Sequence, residues 1–140
     1  MKRSASAVWK GGLKDGTGAV STESGVLAGT PYNFSKRFEN EAGTNPEELV
    51  AAAHAACFSM ALSLFMANEG LTPESIETTA TVSFENVNGA WTVTSSQLQT
   101  NVRSPNADPA AFQKAADGAK AGCPISRLLN TTITLDATLV

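Results

Sequence analysis

NPEELVAAAHAACFSMALSLFMAN, residues 45–68, carries the strongest structural signal in the chain. Asn45 is a helix N-cap, Pro46 suits the first turn, and Glu47 and Glu48 favour the positive end of a helix dipole. No glycine or proline follows until Gly70, which fits a C-cap. The spacing therefore predicts a helix from Asn45 to about Asn68. Between Val50 and Ala67 there is no formal charge. That length touches the lower limit for a bilayer span. His54, Ser59, Ser63 and the many alanines argue instead for a soluble helix buried on nearly all sides. One small chain cannot surround such a helix. Ala51, Ala52, Ala53, Ala55 and Ala56 permit close helix approach, so a dimer built around this helix is expected.

Outward from that helix, the first third reads as strands and turns. Ser6–Lys10 and Gly16–Thr22 are short extended runs, with Ala7 and Trp9 on one face of the first. Tyr32–Phe38 reads as a third strand, with Tyr32, Phe34, Lys36 and Phe38 on one face. On the other side of the helix, residues 76–85 and 91–102 form a hairpin around a turn at residues 86–89. Pro109 opens a second helix that Gly122 ends. Pro124 restarts a short helical segment through Ile125 to Leu129. Residues 131–139 make a final strand with Ile133, Leu135, Ala137 and Leu139 inward. Strands, long helix, hairpin, helix and strand define an α+β fold. The 140 residues form one domain, without repeats or a long linker.

Composition narrows the chemistry. Apolar residues make up 42 % of the chain and charged residues 16 %, well below the usual quarter or so for charge. A surface so poor in charge suits a large self-association interface. The net charge is −3 and no run holds more than two basic residues, which excludes a nucleic-acid stripe. One histidine and two cysteines are too few and too scattered for a zinc site. The MKRSASAVWKGG start lacks the apolar core of a signal peptide, so a cytoplasmic protein is expected.

The two cysteines are the chemical candidates. Cys57 sits within the long helix, either as a core residue or as a reactive thiol. Cys123 stands between Gly122 and Pro124, at or beside the N-cap of the short helix, where a thiolate is favoured. A permanent bond between them is unexpected in a reducing compartment, but a bond made and broken in a cycle fits. Arg37 is either a solvated strand residue or a fork of donors for a thiolate or oxyanion. Glu47 is either a helix-dipole partner or the group that orients Arg37. It lies roughly 15 Å before Cys57 along the helix, so a shared site of Arg37, Glu47 and Cys57 calls for a two-fold dimer. His54, three residues before Cys57, is either a hydrogen-bonded buried histidine or the base of a Cys57–His54 hydrolase.

Three segments together resemble a known family. GAVSTESG at 18–25 precedes Arg37-Phe38, GTNPEELVAAAHAACFSMALS covers 43–63, and AGCPISRLL covers 121–129. They resemble the osmotically inducible protein C and organic hydroperoxide resistance family over nearly the whole chain, closest to the osmotically inducible branch. The resemblance implies intertwined homodimers, with long central cysteine-bearing helices packed between wrapped, mostly antiparallel sheets and active sites at the subunit interface. It implies one thiol-peroxidase domain over 1–140 that uses no haem, metal or flavin. Cys57 is then the peroxidatic thiol, Cys123 the resolving thiol, and Arg37 with Glu47 the activating pair. Its place at a helix start favours Cys123 as the thiolate; the resemblance assigns that role to Cys57. The implied substrates are organic hydroperoxides, with hydrogen peroxide a further substrate for the osmotic branch. The implied reductant is an external dithiol such as a lipoyl-bearing protein. A non-catalytic osmotic-stress binding protein is the remaining alternative, and neither nucleic acid nor membrane is an expected partner.

Overall fold

The structure is a computed structural model describing residues 1–140. Four helices and two three-stranded sheets give the α+β class expected. The chain groups into two compact units, residues 1–49 and 50–140.

In the first unit, β1 (Ala5–Lys10), β2 (Thr17–Thr22) and β3 (Thr30–Tyr32) form an antiparallel sheet in that order. Trp9 and Tyr32 both pair with Gly18 from opposite sides. Their rings meet at 5.5 Å between centroids. A β-carbon at Gly18 would lie 2.6–2.7 Å from both rings, so glycine is what lets them close over the middle strand. The third strand ends sooner than its alternation suggests. Residues Phe34–Phe38 are a short helix, α1, capped by the Asn33 side chain, which accepts from the Lys36 N–H at 2.8 Å. Phe34 and Phe38 fit an alternating strand face, but they are also one helical turn apart, and they stack at 4.7 Å. The cap and this stack favour the helix, and Arg37 therefore stands on α1 and not on a strand.

Helix α2 runs from Pro46 to Asn68. Within the chain it is buried along one stripe, His54, Phe58, Leu62 and Met66, at four-residue spacing. Met60 and Leu64 are 75 % and 60 % exposed. The expected burial on nearly all sides is thus not met by this single chain. α2 is long and apolar enough to cross a bilayer, yet its buried stripe is committed to a protein core.

That core belongs to residues 50–140. β4 (Ser75–Val87) and β5 (Ala90–Arg103) form the hairpin, turning through Asn88 and Gly89, both at positive φ. β6 (Thr132–Leu139) pairs in parallel with β5, because the crossover through α3 (Pro109–Gly122) and α4 (Pro124–Leu128) brings it back in the same direction. Register places Leu98 between Ala80 and Leu135, and Val102 between Ile76 and Leu139. These residues, the α2 stripe and Phe112, Ala115, Ala116 and Ala119 of α3 make the core. Phe65 of α2 lies in a notch of α3: β-carbons at Gly118 or Gly122 would come within 2.6 and 2.8 Å of its ring.

Candidate active site

The candidate side chains form two pairs, one in each unit. Cys57 and Cys123 are 66 positions apart, yet the Cys123 thiol donates to the Cys57 sulfur at 2.9 Å, and both are free thiols. The folding cause is local on each side. Cys57 lies one residue before Phe58 of the buried stripe, so it is half-buried. Cys123 is fully buried. It ends α3 by donating its N–H to the Ala119 carbonyl at 2.9 Å, and it starts α4 by accepting from the Arg127 N–H at 3.0 Å. Its thiol makes no cap bond of its own, so it is available to face Cys57.

Burial pushes the Cys57 thiol up from its ordinary pKa, and the adjacent Cys123 sulfur pushes the same way. The backbone N–H of Ile125 pulls against both. An amide at the start of α4 thus serves Cys57, whereas the sequence alone credits the start of that helix to Cys123. A further cation near Cys57 is what its thiolate would require.

The second pair is Arg37 and Glu47. Arg37 donates from Nη2 to Oε1 at 2.7 Å and from Nε to Oε2 at 3.2 Å, a two-point fork. Asn45 fixes the approach of α1 to the start of α2: its side chain caps the Glu48 N–H at 2.9 Å and donates to the Lys36 carbonyl at 3.1 Å. The guanidinium also lies 5.3 Å from the Phe38 ring centroid. Arg37 and Asn33 join Trp9, Leu13, Tyr32, Phe34 and Phe38 around a cavity of about 290 Å³. The sequence reading missed this aromatic wall because its members come from separate segments of the first unit.

His54 is fully buried, and both ring nitrogens are engaged: Nδ1 with Ser96 Oγ at 2.7 Å and Nε2 with Ser126 Oγ at 2.8 Å. Neither nitrogen is directed to Cys57, so the Cys57–His54 dyad of a hydrolase is not formed. Burial lowers the His54 pKa, which keeps the ring neutral. Ser96 and Ser126 had no role in the sequence reading, although Ser126 is the serine of the GCPIS segment. No three His, Cys, Asp or Glu side chains converge as a metal ligand set.

The site is thus a pair of free thiols, one half-buried and one buried, in an α+β fold whose long helix holds the more accessible sulfur. The chain belongs to the OsmC-like protein family, whose sequence model matches residues 38–138. It is 54 % identical over 130 residues to the protein named peroxiredoxin OsmC of Escherichia coli K12, covering 93 % of this chain and 91 % of that one. Among solved structures, an OsmC-like protein from Mycoplasma pneumoniae matches with a TM-score of 0.76 at 18 % identity, over 100 % of this chain and 98 % of the other. The organic hydroperoxide resistance protein OhrB of Bacillus subtilis matches with a TM-score of 0.68 at 23 % identity, over 98 % of each chain. At those identities the two structures speak for the fold alone.

Proposed function

We propose that residues 1–140 act as one thiol-peroxidase domain that reduces organic hydroperoxides, with hydrogen peroxide as a further substrate. The observation that carries this reading is the 2.9 Å approach of Cys57 and Cys123. The high identity to a protein named as a peroxiredoxin supports it. In the proposed cycle the Cys57 thiolate attacks the distal peroxide oxygen. The O–O bond breaks, the alkoxide leaves and takes a proton as alcohol, and Cys57 becomes a sulfenic acid. Cys123 then attacks the Cys57 sulfur, the S–O bond breaks, water leaves and a disulfide forms. An external dithiol, such as a lipoyl-bearing protein, reduces that disulfide by exchange and is itself oxidised. No cofactor takes part in this cycle.

Cys57 is assigned the peroxidatic role because it is the more accessible sulfur and receives the Ile125 amide. Arg37 supplies the positive charge that offsets the burial of Cys57 and polarises the peroxide, and Glu47 orients it through the two-point fork. The aromatic cavity beside Arg37 suits the carbon skeleton of an organic substrate.

The proposed assembly is an intertwined homodimer, with α2 central, sheets wrapped around it and active sites at the subunit interface. The exposed apolar side chains of α2 support it, since Met60 and Leu64 would otherwise face water. A soluble cytoplasmic protein of the osmotic-stress and antioxidant response is the setting in which both thiols stay reduced between turnovers. The test is consumption of cumene hydroperoxide with dihydrolipoamide, paired with sedimentation at low micromolar concentration. Turnover by a species of twice the 14.5 kDa chain mass is expected. A stable single-chain species, or no turnover, overturns the corresponding part.

A further inference from the structure

Two side-chain hydrogen bonds join α2 to α4 and its N-cap, and the dithiol is one of them. Cys57 faces Cys123 at 2.9 Å, and His54 faces Ser126 at 2.8 Å. α2 contributes His54 and Cys57, and the N-cap and third residue of α4 contribute Cys123 and Ser126; each pair is three apart and the numbering runs in opposite directions, so the two contacts are adjacent rungs of one ladder. The sulfur rung must break and reform with each cycle. The imidazole rung has no such duty. Its far side is fixed to the sheet by Ser96 of β5 at 2.7 Å.

α4 needs such an anchor. It is five residues long, and Ser126 is its one buried residue. At its two ends its backbone is tied by Arg127 N–H to the Cys123 carbonyl and Leu129 N–H to the Ile125 carbonyl. A helix this short has little stability of its own. Neither of those bonds ties α4 to α2; the Ile125 amide does, but it ends on the Cys57 sulfur, the atom that changes in each cycle.

We propose that His54, braced on Ser96, is a positioning residue that holds Cys123 at the Cys57 sulfur through Ser126 and thereby sets the rate of disulfide formation. This rests on the peroxidase reading above. At the sulfenic acid two reactions compete. Cys123 can displace water to form the disulfide, or a second hydroperoxide can transfer an oxygen to Cys57 and leave as alcohol, giving a sulfinic acid. A loosened Cys123 slows only the first, so the sulfinic fraction per turnover reports the positioning directly. It does so independently of how fast the first peroxide reacts.

The experiment measures that fraction by mass spectrometry over a series of cumene hydroperoxide concentrations. Ser126→Ala is expected to raise it about five- to tenfold, the effect of losing one buried hydrogen bond. Thr100→Val removes another buried hydroxyl, bonded to Thr78 at 2.9 Å, and controls for loss of stability alone. It should leave the fraction within about twofold of the unaltered protein, by the same reasoning. On a His54→Gln background, Ser126→Ala should add less than about twofold, because the two act as a unit. Equal fractions for Ser126→Ala and Thr100→Val overturn the proposal, as does a fully multiplicative effect of the pair. Failure of the unaltered protein to form a Cys57–Cys123 disulfide with one equivalent of hydroperoxide overturns the peroxidase reading itself, and this inference with it.

Discussion

Residues 1–49 and residues 50–140 are built on different principles. Every buried apolar core residue lies in the second segment: three from α2, two from β5, four from α3, and Cys123. The first segment buries no large apolar side chain fully; its order comes from strand pairing, the Trp9–Gly18–Tyr32 stack and the polar contacts of Asn33, Asn45, Arg37 and Glu47. The thiols are set in the region that packing makes rigid. The guanidinium is set in the region held by hydrogen bonds and charge. A substitution in one should therefore act through geometry, and in the other through electrostatics.

The largest effect separates the two sulfurs from everything else. Cys57→Ser is expected to abolish peroxide turnover, whereas Cys123→Ser should still react once and leave a sulfenic acid at Cys57. Trapping with dimedone followed by mass spectrometry reads this, and an adduct found only on Cys123 would invert the roles.

Next comes stability. Phe58→Ala should cost about 3–5 kcal/mol, as large-to-small changes in a packed core do. Val20→Ala, in the coreless segment, should cost less than about 1 kcal/mol, as partly exposed positions do. Urea unfolding of both variants measures the contrast, and equal losses would erase the distinction between the regions.

A smaller, electrostatic effect is expected at Arg37. On the proposed assignment Arg37→Ala should move the pH profile of Cys57 oxidation upward, because burial already favours the neutral thiol and the proposed compensating charge is removed. The loss should shrink well above the raised pKa, where the thiolate exists without help. Glu47→Ala should be milder, slowing the reaction through orientation without raising that pKa. Three overlapping profiles would remove both residues from the site.

The smallest effect concerns His54. Its folded pKa lies below the ordinary 6.5, so the folded state disfavours its proton. The stability it contributes is complete above that value and is lost as pH falls below it. The slope is at most about 1.4 kcal/mol per pH unit for one proton. Between pH 6.5 and about 5, before carboxylates dominate, unfolding free energy should fall, and His54→Gln should flatten the decline. An unchanged slope in the variant would assign the decline to other groups.

Much of this arrangement was legible in the sequence. Capping residues and an unbroken apolar run located α2, and alternation gave the inward face of β6, because both signals are local. The segment around Arg37 was not legible in the same way. Phe34 and Phe38 satisfy a two-residue and a four-residue period at once, and the Asn33 cap with their ring stack decides between them. His54 could be read as a hydrogen-bonded buried histidine, but its partners lie 42 and 72 positions away. No local pattern encodes such distances. The 66-position approach of the sulfurs has the same character: spacing permits it, and tertiary packing makes it.

The notch that receives Phe65 has a consequence for how much variation the dithiol can tolerate. At Gly118 and Gly122 the separation of α2 from α3 is set by the thickness of an aromatic ring against bare backbone. Cys123 follows Gly122 directly, so the ring works as a gauge block for the reach of one sulfur toward the other. A single added methyl group on that surface of α3 would lengthen the gauge without touching either thiol. The tolerance of the sulfur pair is thus written in two side chains that are absent.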